Sequence, residues 1–395
     1  MWIRANLNCN LLLCGILMLL PALAAPRPIW AATGDDWPSF RGDARLTGVA
    51  AQPLPADLAV LWTFEAEDGI ESTAALVEGV VYVGSLAGKL HALDFESGKL
   101  LWTYEAGDEI KSSPSVRNGV VYFGDESGIF HAVDAADGKA KWTFAVDGGV
   151  IASASFAGGH VIFGSQDNFL YALNPDSGEL AWKVETGSYI YGTAAVARIG
   201  ERQVVLVAGC DGVMRGLDPR DGSNVVQVGI DAYVGGSTAV GDRLVFVGTF
   251  ENQVLGIDLA AGKVVWAYEH PQRHFPFYSS AALSEDRVVI GGRDKLVHAL
   301  DPGTGHAVWT YAAGARVDSS PVIAGTTVYF GTLGGDVVGL NLKSGEKVWE
   351  FTTGSSVTAS PALADGRMVI GTLDGMLYCF GAAREEIDEK EEKND

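Results

Sequence analysis

The spacing of the tryptophans constrains this chain more than any other feature. Trp62, Trp102, Trp142 and Trp182 stand 40 residues apart. Trp266, Trp309 and Trp349 continue the series, and Val226 fills the one missing place. Four residues before each position except Trp62 lies a glycine: Gly98, Gly138, Gly178, Gly222, Gly262, Gly305 or Gly345. Four residues earlier again stand Asp94, Asp134, Asn174, Asp218, Asp258, Asp301 and Asn341. A length of 395 residues suggests two or three domains. Self-similarity at a fixed period overrides that expectation, because a repeat ring is one domain built from any multiple of its unit.

Upstream of each turn stand two β-rich runs. They read VVYVGSLAGKLHALD at 80–94, VVYFGDESGIFHAVD at 120–134, HVIFGSQDNFLYALN at 160–174 and TVYFGTLGGDVVGLN at 327–341. β-Branched and aromatic residues fill the strands, while Gly, Asp, Asn and Ser fill the turns. The 50 glycines and 10% aromatic residues suit short strands joined by tight turns. No run carries a sustained 3.6-residue apolar period. Each unit therefore predicts four antiparallel strands, A to D. In the second unit these fall near 112–116, 120–124, 128–134 and 139–146. Such a sheet cannot bury both faces alone, and radial stacking of neighbours does so. The A-B-C set occurs eight times and the last copy lacks a D strand. An orphan D strand, LAVLWTFEAE at 58–67, precedes the first copy. The expected fold is an all-β, eight-bladed β-propeller over 58–381, with the N-terminal strand completing the last blade. That closure hides an edge that would otherwise template aggregation. The tryptophans read as inter-blade packing. The Asp/Asn positions read as turn formers.

The repeat A-L-D-x-x-S-G-K-x-x-W, seen at Ala92 to Trp102, resembles the pyrroloquinoline-quinone (PQQ)-type propeller repeat. The resemblance covers 58–381. It is specific for the superfamily and not for one function within it. One branch holds quinoprotein alcohol dehydrogenases. Another holds non-catalytic scaffolds such as BamB of the outer-membrane β-barrel assembly machinery. The segment Trp37-Pro-Ser-Phe-Arg41-Gly42 resembles the lead-in of exported bacterial propellers of this type.

The first 32 residues read as a secretory leader. Arg4 precedes the apolar run Leu11–Leu20, and cleavage is placed after Ala24 or after Ala32. Residues 33–57 form a lead-in and 382–395 a charged, disordered tail. Cys9 and Cys14 lack a lipoprotein context, so the mature product is expected in the periplasm or secreted, without membrane insertion. Net charge is −21, and losing Arg4 and Arg27 with the leader makes it −23. Such an acidic surface argues against nucleic-acid and anionic-lipid partners. Cys210 and Cys379 fall in the fourth and eighth units, too far apart to bridge, so two free thiols are expected as small core residues.

Known catalytic motifs are missing: no G-x-S-x-G, H-E-x-x-H or P-loop occurs. His91, His131 and His298 share one repeat position, so the ring should hold them apart as strand histidines rather than as a metal centre. The quinoprotein branch implies PQQ, calcium and a pair of adjacent cysteines. This chain has no adjacent cysteines, and no position matches those ligands, so no catalytic, cofactor or metal residue is assigned. One ring position does vary from blade to blade. It reads Glu71, Lys111, Ile151, Tyr191, Gly235, Tyr278, Asp318 and Thr358, at the start of each innermost strand. Variation there fits a binding rim as well as a solvated channel mouth. The D–A loop before blade six is three residues longer than its fellows. Its insert Glu269–Phe277 includes Arg273, His274, Phe275 and Phe277, a mixture suited to a protein contact or to capping the channel. The expected function is an exported non-catalytic scaffold for protein partners in the cell envelope, BamB-like. The alternatives are a PQQ- and calcium-dependent dehydrogenase, and a small-molecule or glycan binder at the channel mouth.

Overall fold

The computed structural model describes residues 36–383. The expected leader at 1–32 and all but the first two residues of the expected tail at 382–395 lie outside the described residues. Within them there is no helix, and 32 strands form eight four-stranded antiparallel sheets. Blade two shows the unit: strand A is Ser115–Arg117, B is Val120–Gly124, C is Ile129–Asp134 and D is Ala140–Ala145. They pair in that order. The strand Leu58–Glu65 pairs antiparallel with the last strand, Met376–Ala382, from Leu58 opposite Ala382 to Glu65 opposite Met376. The eighth sheet thus joins both ends of the described strand series, and the fold is an eight-bladed β-propeller.

The repeat motif turns out to be one inter-blade joint. Six of the seven Trp indoles, all but Trp349, lie over the C–D turn glycine of the following blade. A Cβ added at Gly138 would stand 2.6 Å from the Trp102 ring, and one at Gly178 2.7 Å from Trp142. These glycines also hold positive φ, 72° and 74°, where a side chain is strained. The indole Nε1 then donates to a carbonyl of that same turn: Trp62 to Phe95 O at 2.9 Å, Trp142 to Pro175 O at 3.0 Å, Trp309 to Leu342 O at 3.0 Å. Trp349 donates to Leu58 O at 3.3 Å, across the closure. Where Val226 replaces the indole, a Cβ at Gly262 would meet nothing within 4 Å. Gly262 still holds a positive φ of 64°, so the turn backbone requires glycine even where no indole packs on it.

A second set of contacts ties the inner strands together. Thr73 N donates to Ser113 Oγ, Ser113 N to Ser153 Oγ and Ser153 N to Thr193 Oγ1, at 3.0, 3.0 and 3.1 Å. The series continues through Ser237, Ser280, Ser320 and Ser360. These hydroxyls satisfy amides on the inner edge that have no strand partner.

The lead-in is part of the ring rather than an appendage to it. Three residues along each inner strand from that Ser/Thr position lies an amide facing the axis. Six of these eight amides donate to lead-in carbonyls: Leu76 to Trp37, Val116 to Pro38, Val196 to Ala44, Val240 to Arg45, Leu283 to Thr47 and Ile323 to Gly48, at 2.7–2.9 Å. Trp37, Arg41 and Leu46 are buried there. Arg41 Nη2 donates to Ala281 O at 2.9 Å, and burial pulls its pKa down to about 9. The lead-in therefore closes one end of the axis.

Candidate binding rim

The varied ring position lies four residues before strand A, as Glu71 before Ala75–Val77 and Lys111 before Ser115–Arg117, whereas the lead-in bonds the strand itself. Five residues separate Glu71 from Leu76, at most about 16 Å of extended chain. Strands B, C and D alternate in direction, which places the D–A and B–C loops together at the open end.

One hydrogen bond repeats in every blade there. The amide two residues beyond the end of strand B donates to the carbonyl two residues before the rim position. The pairs are Leu86–Gly69, Glu126–Glu109, Gln166–Gly149, Cys210–Tyr189, Phe250–Tyr233, Arg293–Pro276, Leu333–Arg316 and Leu373–Ser356. This joint makes the rim positions equivalent in space. It also sets beside them a second varied ring, from Leu86 to Leu373, that the sequence reading missed. The signal was present: it lies two residues past the strand-B glycine, or past Ala208 in blade four.

The two rings interlock differently around the axis. On blades one and two the contacts are ionic. Lys111 Nζ lies 2.7 Å from Glu109 and 2.8 Å from Glu126. Desolvation works against its charge, but the two carboxylates outweigh it and hold the ammonium above its ordinary pKa. Glu71 is half-buried and makes no hydrogen bond or ion pair among the described residues. Burial first, and Glu109 and Glu126 after it, push its carboxyl up against the pull of Lys111. On blades four to seven the contacts are aromatic. Phe250 stacks on Tyr278 with centroids 4.4 Å apart, and Gly235 leaves the space that Phe250 occupies. Arg293 Cζ lies 3.3 Å from the Tyr278 ring centroid. Its guanidinium also makes a forked pair with Asp318, at 2.9 and 2.7 Å. Tyr189 and Tyr191 meet edge to face at 5.9 Å. Ile151 and Thr358 complete the first ring, both partly buried.

The long D–A loop divides in two. Arg273 Nη1 donates to Asp294 O at 2.6 Å, His274 Nδ1 lies 2.8 Å from Glu269, and Phe275 is half exposed. Phe277 departs from expectation. It is 2% exposed, packs against Gly248 and meets His298 edge-on at 5.3 Å. It is a core residue and no part of a docking surface, because it occupies the repeat position where Ile110, Val150 and Val317 are buried, its amide donating to Thr249 O at 3.0 Å as theirs do to the equivalent carbonyls. Cys379 is buried as expected, whereas Cys210 sits half-buried in the second rim ring; both are free thiols.

The three strand histidines pin neighbouring blades. His131 Nε2 lies 3.0 Å from Asp125, and Tyr104 Oη of the preceding blade lies 3.1 Å from its Nδ1. His298 repeats this with Asp294 and Tyr268, both at 3.1 Å. His91 faces Phe64 instead, and burial takes its pKa down to about 4. Burial alone would raise Asp125, but hydrogen bonds from His131, Ile129 and Ser127 hold it below its usual value. Among the described residues no three His, Cys, Asp or Glu side chains are grouped to hold a metal ion. The rim carboxylates nearest each other are already bridged by Lys111, and the axial face near Tyr278 is filled by Phe250 and Arg293. These residues do not fit a quinone–calcium pair, and no step is derived through one. No helix among the described residues is long and apolar enough to cross a membrane.

Comparison with known structures finds the same fold in proteins of several kinds. BamB from Moraxella catarrhalis superposes with a TM-score of 0.70 at 21% identity, covering 82% of this chain and 100% of that one. Quinohemoprotein alcohol dehydrogenase from Comamonas testosteroni gives 0.74 at 17% identity, over 90% of this chain and 82% of that one. A europium-containing methanol dehydrogenase gives 0.74 at 12% identity, over 88% and 98%. At such identities the likeness establishes the fold alone. No curated protein sequence matches this chain. The family model for outer membrane protein assembly factor BamB matches residues 50–209 and 210–394. The matched blocks take in every blade and most of the sequence, so this chain belongs to the BamB family.

Proposed function

We propose that this protein is an exported, non-catalytic scaffold of the cell envelope that binds a protein partner on its open rim face. One observation carries the reading. The exposed aromatic residues Tyr189, Tyr233, Phe275 and Tyr278 all belong to D–A loops of that single face. The other large apolar residues that are exposed are aliphatic. Exposed rings gathered around a concave polar rim suit protein contact, since aromatic residues dominate interface anchors. Glu71, Lys111, Tyr191, Asp318 and Thr358 line the mouth beside them, and Arg273, His274 and Phe275 extend it along the long loop. Family membership supports an envelope partner.

The test is capture of envelope proteins by the purified chain, with and without Tyr278→Ala. A specific partner lost on the substitution supports the reading. Partners unchanged by Tyr278→Ala and Tyr233→Ala together overturn it. A parallel measurement adds PQQ and Ca²⁺ and follows dye reduction with a panel of alcohols; turnover there would replace the scaffold reading with the dehydrogenase one.

A further inference from the structure

The open face carries an internal example of its own recognition chemistry. Arg293 lies flat on Tyr278 while its fork grips Asp318. Stacking and bidentate pairing together are what a guanidinium offers and an ammonium does not. One blade earlier the same ingredients recur without the cation. Tyr233 is 56% exposed, and Asp231 precedes it by two residues on the same loop. Glu251 adjoins Phe250, whose amide is bonded to Tyr233 O at 2.9 Å. Asp231 and Glu251 are exposed and make no ion pair among the described residues, and no described cation lies over the Tyr233 ring.

The charge around this spot is one-sided. In the D–A and B–C loops of blades one to five, Lys111 is the only Lys or Arg; just inside strand C, Lys89 pairs with Glu67 and Arg215 with Asp211, which leaves the remaining carboxylates in excess. Every one of those blades contributes carboxylates, among them Glu71, Glu126, Asp167, Asp211 and Glu251. The opposite face is mixed: its turns carry Lys99, Lys139, Arg220, Arg243, Arg287 and Lys343 among their acids. Charge complementarity and the exposed ring therefore select the same kind of occupant.

We infer that the partner presents an arginine-bearing polypeptide segment, whose guanidinium stacks on Tyr233 between Asp231 and Glu251. Resting on the scaffold reading, this adds the partner's chemistry. Further arginines of the segment find Tyr189 and the free carboxylate Glu71 along the rim.

The experiment uses the whole chain and three fluorescein-labelled Gly–Ser dodecapeptides carrying three arginines, three lysines or three glutamates, read by anisotropy. The arginine peptide is expected to bind, the lysine peptide several-fold more weakly, and the glutamate peptide not at all. Tyr233→Ala should weaken the arginine peptide about fivefold and abolish its advantage over lysine. Asp231→Asn with Glu251→Gln should weaken both basic peptides, whereas Asp176→Asn with Glu179→Gln on the opposite face should change neither. These residues are exposed, so circular dichroism should show every variant folded. Equal binding of the arginine and lysine peptides overturns the inference, as do equal losses from the two faces or full competition by spermidine at matched charge. If an envelope partner still depends on Tyr278 while the arginine peptide fails to bind, this inference falls and the scaffold reading stands. Loss of both removes the two together.

Discussion

The eight inner segments, rim position to strand A, have two ends, and the ends behave oppositely. At one, equivalent amides from six blades meet a single non-repeating segment, and Trp37 and Arg41 are buried against them. At the other, an equally regular joint between the D–A and B–C loops carries side chains that vary around the ring. The backbone is periodic at both ends. At the lead-in end its unpaired groups are satisfied by another stretch of chain, which leaves no surface to present. At the rim each blade satisfies its own, which frees the side chains to diverge. Regular backbone bonding is thus compatible with sealing or with display, and what fills the axis decides between them.

The largest effect should come from attacking the sealed end. Trp37→Ala is expected to cost about 3–5 kcal/mol of stability, as for a buried indole elsewhere, read by denaturant unfolding. A loss below about 1 kcal/mol would mean that the lead-in is no structural seal. Next comes the joint between blades. Gly138→Ala combines a left-handed backbone with a collision against Trp102 and should cost about 2–4 kcal/mol. Gly262→Ala meets the same backbone strain and no neighbour, and should cost about 1–2 kcal/mol. Equal losses would show that the indole contributes nothing to the joint.

Smaller changes belong to the open end. The Glu71 carboxyl titrates higher in the folded chain than in the unfolded one. A raised carboxyl favours folding below its unfolded pKa, and that contribution is lost as pH rises through the folded value. At neutral pH the charged group is therefore a burden, reduced by solvent screening. Glu71→Gln should raise stability by less than about 1 kcal/mol at pH 7, with the gain vanishing near pH 4. A loss at neutral pH would place Glu71 in an ion pair. Tyr233→Ala should shift stability by no more than about 0.5 kcal/mol, because the ring is exposed, while altering what the face binds.

Much of this was legible before the structure. The spacing of Trp102 and Gly138 announced a repeated joint, and the orphan strand around Trp62 had one place to go. The first varied ring was legible from counting alone. The second, with Glu126, Phe250 and Arg293, was equally periodic but hidden behind turn residues that read as loop formers. Phe277 misled because it reads with the polar loop insert; counted by repeat it stands where Ile70, Ile110, Val150, Ile190, Val234, Val317 and Val357 are all buried, and its amide bond to Thr249 O repeats theirs. Cys210 misled in the opposite sense, because a small apolar thiol reads as core wherever strands are expected.

The sequence by itself determined the blade count, the strand pattern and the joint between neighbours, since these depend on contacts repeated at a constant offset. Tertiary structure alone decided that residues 37–50 close the axis, that Arg293 couples Tyr278 to Asp318, and that the rim divides into an ionic and an aromatic half. Those contacts occur once each. Several join residues as far apart as Arg41 and Ala281, and closing a ring is what brings such distant positions together.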